Sequence, residues 1–128
     1  LEVNTSEKYF KGGVKTAASK NRIVPIHSAI LPLVKYLLKE YGTLGIETPK
    51  IAKYLPTVVK GSTPHWARHT FSTLCEKYGV RENDRKRMLG HSVGDITNDI
   101  YGHRTLEDLR TEIEKIEVPK NAQQFSDN

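Results

Sequence analysis

The chain has 128 residues and a mass of 14.5 kDa, which suits one compact domain or a piece of a larger one and excludes two. At 37% apolar and 27% charged residues it is too apolar for a disordered tail. No apolar run nears the about 20 residues of a membrane span, and the single Cys75 excludes an internal disulfide or a cysteine-rich zinc site. The net charge of +5 is unevenly placed, with 16 Lys and Arg against 7 Asp and Glu in residues 1–92 and 4 against 8 in residues 93–128, the pattern of a basic body that meets a polyanion and an acidic extension that does not.

In chain order, residues 8–14 (KYFKGGV) and 21–27 (NRIVPIH) are β-favouring stretches joined by the loop Lys15 to Lys20, a hairpin with Pro25 marking an edge strand. Ser28 is read as the cap of a helix that tolerates Pro32 in its first turn. It carries Ile30, Leu33, Val34, Leu37 and Leu38 at helical spacing and ends at Gly42. Thr48-Pro49 and Thr63-Pro64 each read as an N-cap followed by proline at the first helical position. The first of these helices is expected to be short, stopped by Pro56. The second runs to Gly79 with Trp66, Phe71, Leu74, Cys75 and Tyr78 as its apolar contacts. A further helix spans Glu82 to Leu89, stopped by Gly90. Asp95 caps a short helix containing Ile96, Ile100 and Tyr101, and Thr105 with Asp108 forms a capping box for the last helix. Its stripe is Leu106, Leu109, Ile113 and Ile116, and Pro119 ends it. The fold class expected is α+β, mainly α with a small β-hairpin or three-stranded edge sheet. Residues 1–27 form the hairpin unit, 28–103 a helical core, 104–118 the C-terminal helix and 119–128 a loose tail.

The chemistry-bearing residues come in a definite order: Lys15 in the hairpin loop, His65-x-x-Arg68-His69 on a helix, Leu89-Gly90-His91-Ser92 at a helix end, and Tyr101 ten residues after His91. The words KTAASKNRIVPIH, TPHWARHTFSTL, MLGHSVGDIT and IYGH resemble, in the same order, those of the tyrosine recombinases. These are the phage integrases and their relatives in conjugative transposons, particularly those of Gram-positive bacteria. The likeness spans roughly residues 8–117. It implies a catalytic domain that cuts and rejoins double-stranded DNA at attachment sites to integrate or excise a mobile element. The parent would act as a homotetramer in a bacterial cytoplasm.

The same side chains describe a phosphoryl transfer to a protein nucleophile. Tyr101 attacks the scissile phosphorus, expels the 5′ hydroxyl and leaves a 3′ phosphotyrosine that stores the bond until another strand's hydroxyl reverses the step. Arg68 presents a planar fork of donors to two non-bridging oxygens, and His91 adds a third donor. The resemblance makes Lys15 the general acid for the leaving oxygen, with Lys20 in the same loop its rival, and makes His65 the residue that assists at the phosphate and accepts the tyrosine proton. Lys20, Arg22, Arg85, Lys86 and Arg87 are expected to bind DNA.

No metal or cofactor is expected: His65 and His69 are one helical turn apart, but Trp66 stands where a zinc-protease HExxH motif has glutamate. The last helix has two readings, a cover for the chain's own core or a contact with a neighbouring protomer. The family's first arginine, in an Arg-x-x-Glu-Leu segment, has no counterpart among the fourteen residues before Lys15. The chain is therefore expected to be an N-terminally truncated part of a catalytic domain, slowed on the order of 10²- to 10³-fold by the loss of one oxyanion donor. The runner-up is a non-catalytic DNA-binding module, because FSTLCEKYGVRENDRKRMLGHS also scans as a helix-turn-helix with a basic second helix. An oligomerisation fragment is a third reading, which leaves the basic body unexplained.

Overall fold

The computed structural model describes residues 1–13, 17, 20–44, 48–91 and 104–120. Among them it is an α+β fold of three short strands and five helices: β1 Glu2–Asn4, β2 Tyr9–Gly12, β3 Arg22–Pro25, α1 Leu31–Tyr41, α2 Thr48–Val58, α3 Pro64–Lys77, α4 Glu82–Leu89 and α5 Leu106–Ile113. No helix among the described residues is long and apolar enough to cross a membrane. The sheet is antiparallel in the order β1-β2-β3, the three-stranded form of the small sheet expected, with its third strand at the N-terminal end. Lys8 and Asn21 take left-handed conformations at φ 63° and 54°, each beside a strand end. β3 is an edge strand, consistent with Pro25 pairing opposite Tyr9, since an edge tolerates a residue without an N–H.

The helix stops written in glycine hold. Gly42, Gly79 and Gly90 all have positive φ, at 73°, 74° and 79°, where a residue without Cβ carries no steric penalty. The capping box at the start of α5 also forms, with the Asp108 amide donating to Thr105 Oγ1 at 3.1 Å and the Thr105 amide to Asp108 Oδ2 at 2.9 Å.

Five expectations are corrected. Ser28 does not cap α1. Its hydroxyl and amide each donate to the Glu114 carboxylate at 2.7 Å, a partner 86 residues away, and the N-cap is Ile30, without a side-chain cap bond. Of the apolar residues assigned to α1 only Val34 is buried, while Ile30 and Leu33 are exposed. α2 is not stopped by Pro56 and runs on to Val58: proline costs one intrahelical bond, and in the last turn little helix remains to be lost. Trp66 is 49% exposed, and residues 65–69 around it at the start of α3 are exposed as well. α5 ends at Ile113 rather than at Pro119, and residues 114–116 continue as turns.

Cys75, Val80, Met88, Ile113 and Ile116 form the core, with Val24, Phe71, Leu74 and Tyr78 packed against it. β3, α3, α4 and α5 thus share one apolar centre. Ile113 of α5 and Ile116 just beyond it lie in this core, and Leu109 of α5 is buried as well. His27 Nε2 meets the Ile116 carbonyl at 2.8 Å and, together with the Ser28–Glu114 bonds, fastens the C-terminal segment to the end of the sheet.

Candidate active site

The C-terminal end of α4 is the organising point. Gly90 in its left-handed conformation lets two backbone bonds close the helix, Gly90 N–H to Arg87 O at 3.1 Å and His91 N–H to Lys86 O at 2.8 Å. The same turn presents the carbonyls of Met88 and Leu89, at the negative end of the helix dipole, to groups outside the helix. Arg68 of α3 donates from Nη2 to Leu89 O at 2.6 Å, and the same nitrogen lies 3.3 Å from His91 Nε2. Arg22 of β3 donates from Nε to Met88 O at 3.1 Å. Burial, and after it the nearby charge of Arg68, push Arg22 below the ordinary arginine value.

Arg22, Arg68 and His91, far apart in the sequence, therefore gather at one helix end. Among the described residues Arg68 has no carboxylate partner, its polar neighbours being Leu89 O and His91. His65 is three residues before Arg68 on α3, on the same face and exposed, as helical spacing requires. Two guanidiniums and a neighbouring imidazole at one helix end offer the kind of donors that suit an anion with several acceptor oxygens, such as a phosphate diester.

Lys15 and Tyr101 lie outside the described residues, as do the helix expected at Asp95 and most of the loose tail. Their flanks are placed. The connection that carries Lys15 leaves and rejoins the sheet at one point, where Asn21 N–H donates to Gly13 O at 3.2 Å, next to Arg22. The segment that carries Tyr101 starts after His91 and ends before Arg104.

Lys20 is exposed beside that hairpin connection. The basic run of α4 has other partners. Arg85 pairs with Glu76 at 2.7 Å and Glu82 at 3.8 Å, Lys86 with Glu82 at 3.3 Å and Arg87 with Asp84 at 2.9 Å. The Arg85 and Arg87 side chains are only 15% and 17% exposed. Sequence reading missed Asp84, a fully buried carboxylate that also binds Arg104. An Asp with arginines at i−3 and i+3 gives a hint of local pairing, but nothing in sequence points to residue 104.

The chain matches no protein-family model, no curated protein and no solved structure in comparisons with each. The reading of the site therefore rests on its residues and geometry.

Proposed function

We propose that this chain carries the strand-cleavage and rejoining centre of a tyrosine recombinase acting on double-stranded DNA. The observation that carries the reading is the convergence of Arg68 and His91, 3.3 Å apart, with Arg22 beside them at the end of α4. In this mechanism Arg68 and His91 hold the non-bridging oxygens of the scissile phosphate, and their hydrogen bonds strengthen as negative charge grows there. The Tyr101 oxygen forms a bond to phosphorus while the bond to the 5′ oxygen breaks. The tyrosine proton passes to His65, and Lys15 supplies the proton taken by the leaving oxygen. A 5′ hydroxyl from a second strand reverses these transfers and rejoins the DNA. The parent protein works as a homotetramer on two duplex attachment sites in a bacterial cytoplasm, integrating or excising a mobile element. The carboxylates that hold Arg85 and Arg87 weigh against the helix-turn-helix alternative, which needs those side chains on DNA.

The test is covalent trapping on a denaturing gel with a randomised pool of nicked duplexes, using this chain and a longer version that supplies an upstream Arg-x-x-Glu-Leu helix. A DNA adduct that forms in the longer version and vanishes in Tyr101→Phe is the expected result. Salt-sensitive DNA binding with no adduct from either version overturns the recombinase reading and favours a binding module.

A further inference from the structure

Asp84 is 0% exposed and is surrounded by three arginines. Its Oδ1 accepts from Arg87 Nη1 at 2.9 Å and from Arg104 Nε at 3.0 Å, and its Oδ2 accepts from Arg104 Nη2 at 2.8 Å. Arg81 Nε is 3.9 Å from Oδ2. Arg81 and Arg87 are one turn away on either side of Asp84, whereas Arg104 comes from twenty residues further on and is gripped through both prongs of its fork. A buried ion pair of this kind adds little net stability over an apolar replacement, because desolvation offsets the attraction, and its best-attested use is to fix one arrangement of the chain against others. Here the arrangement fixed is the return of the chain to α4 after residue 103. Immediately beyond Arg104 the capping box of Thr105 and Asp108 starts α5, so Arg104 is held on both sides.

The consequence follows from chain length. Tyr101 is three residues before Arg104, a reach of at most about 11 Å, and ten residues after His91, a reach of about 35 Å. The anchor at Arg104 is therefore the tight constraint on the tyrosine, and the one at His91 is loose. α4 supplies both the carbonyl that seats Arg68 and the carboxylate that seats Arg104.

We propose that Asp84 is a positioning residue for Tyr101: by its two-pronged grip on Arg104 it fixes the nearby point from which the nucleophile must reach a phosphate held at the other end of the same helix. The inference rests on the reading of Tyr101 as the nucleophile. A tethering role differs from mere charge neutralisation, since a free guanidinium ion in the same place would neutralise Asp84 without holding the chain.

The experiment uses the longer version and a nicked duplex selected from the pool by the wild-type protein. Single-turnover cleavage measured over a range of protein concentrations separates the half-saturating concentration, which reports DNA binding, from the maximal rate, which reports attack. Arg104→Lys keeps the charge and loses the fork, Asp84→Asn keeps the shape and loses the charge, and Arg104→Ala removes the tether. Each is expected to lower the maximal rate about 10- to 100-fold, as small misplacement of a reacting group does, with half-saturation within about twofold of wild type. Ethylguanidinium added to Arg104→Ala is expected to raise the melting temperature by filling the vacated place while the rate stays low. Should Arg104→Ala fail to fold, Arg104→Lys carries the measurement. A wild-type maximal rate in Arg104→Lys, or recovery of the rate by ethylguanidinium, overturns the positioning role. Absence of any Tyr101-dependent adduct from the wild-type protein overturns the recombinase reading instead.

Discussion

Arg22 and Arg68 reach the end of α4 from a strand and from a different helix, yet they donate to the carbonyls of adjacent residues, Met88 at 3.1 Å and Leu89 at 2.6 Å. Like charges are brought together by two carbonyls at the negative end of a helix dipole, and an anion between them relieves the remaining repulsion. Replacing Arg68 by Ala is expected to lower adduct formation on the order of 10²- to 10³-fold. Arg22→Gln is expected to lower it about tenfold, because a neutral amide lacks the charge and the fork of the guanidinium. Single-turnover trapping of the two variants on one nicked duplex checks the order; a larger loss from Arg22→Gln than from Arg68→Ala would place the phosphate elsewhere.

The turn at Gly90 connects backbone conformation to the site. With φ at 79°, an alanine there is strained by about 1–2 kcal/mol, and the turn that presents both the Leu89 carbonyl and His91 opens. Gly90→Ala is expected to lower unfolding stability by that amount in urea while slowing adduct formation more than tenfold at temperatures where the variant remains folded.

Salt dependence separates cations that meet phosphate from those held by carboxylates. Each phosphate contact contributes close to one unit to the slope of log K against log salt concentration. Arg68→Gln is expected to reduce the slope for duplex binding by about 1. Arg85→Gln is expected to leave it unchanged, because Arg85 is committed to Glu76 and Glu82. A reduced slope in Arg85→Gln would support the binding-module alternative.

Acid should weaken the seam between the C-terminal segment and the rest of the fold. Burial alone would raise both Glu112 and Glu114. In Glu112 the hydrogen bonds from Lys115 and the Arg81 amide outweigh burial, and in Glu114 those from the Ser28 hydroxyl and amide do so, leaving both carboxyls below their ordinary value of 4.5. Carboxyls that are more acidic folded than unfolded contribute stability in full above the unfolded value, and lose it as pH falls toward the folded one. Urea midpoints should therefore hold steady near neutrality and drop below about pH 4.5. Glu112→Gln, which loses a charge-assisted bond worth about 2 kcal/mol, should lower the neutral midpoint and flatten the acid slope.

Cys75 has no exposed surface, and burial pushes its thiol up to about 11. Reaction requires the thiolate. At pH 8 an aromatic disulfide reagent is expected to leave the folded protein unmodified and to react fully once urea unfolds it; rapid labelling of the native chain would contradict the packing of α3 on the core.

The local signals carried the secondary structure furthest. Thr63-Pro64, Gly79, Gly90 and the Thr105-Asp108 box each act within one helical turn, and all appear where the sequence places them. Ser28 and Trp66 depart from expectation for the opposite reason. A serine beside a helix caps it only when no better acceptor competes, and Glu114, 86 residues on, is that competitor. A tryptophan at helical spacing is apolar in any sequence, but whether a neighbour covers it depends on which elements pack against that end of α3.

The same division applies to the site. Sequence order alone brought out Arg68, His91 and His65 as candidates and assigned Lys15 to the hairpin loop and Tyr101 to a short helix, because residue type and spacing along the chain carry that information. It also determined the α+β class, the helix ends at glycine and the last helix with its apolar stripe. Only the tertiary structure decided that Arg22 and Arg68 share the end of one helix, that Arg85 and Arg87 belong to their own chain's carboxylates, and that Asp84 holds Arg104. These are contacts across 9 to 66 residues, apart from Arg87's bond to Asp84 and Arg85's contact with Glu82 within their own helix. Local sequence cannot encode them, since the partner of a buried charge is chosen by which elements pack together, and that choice belongs to the core as a whole.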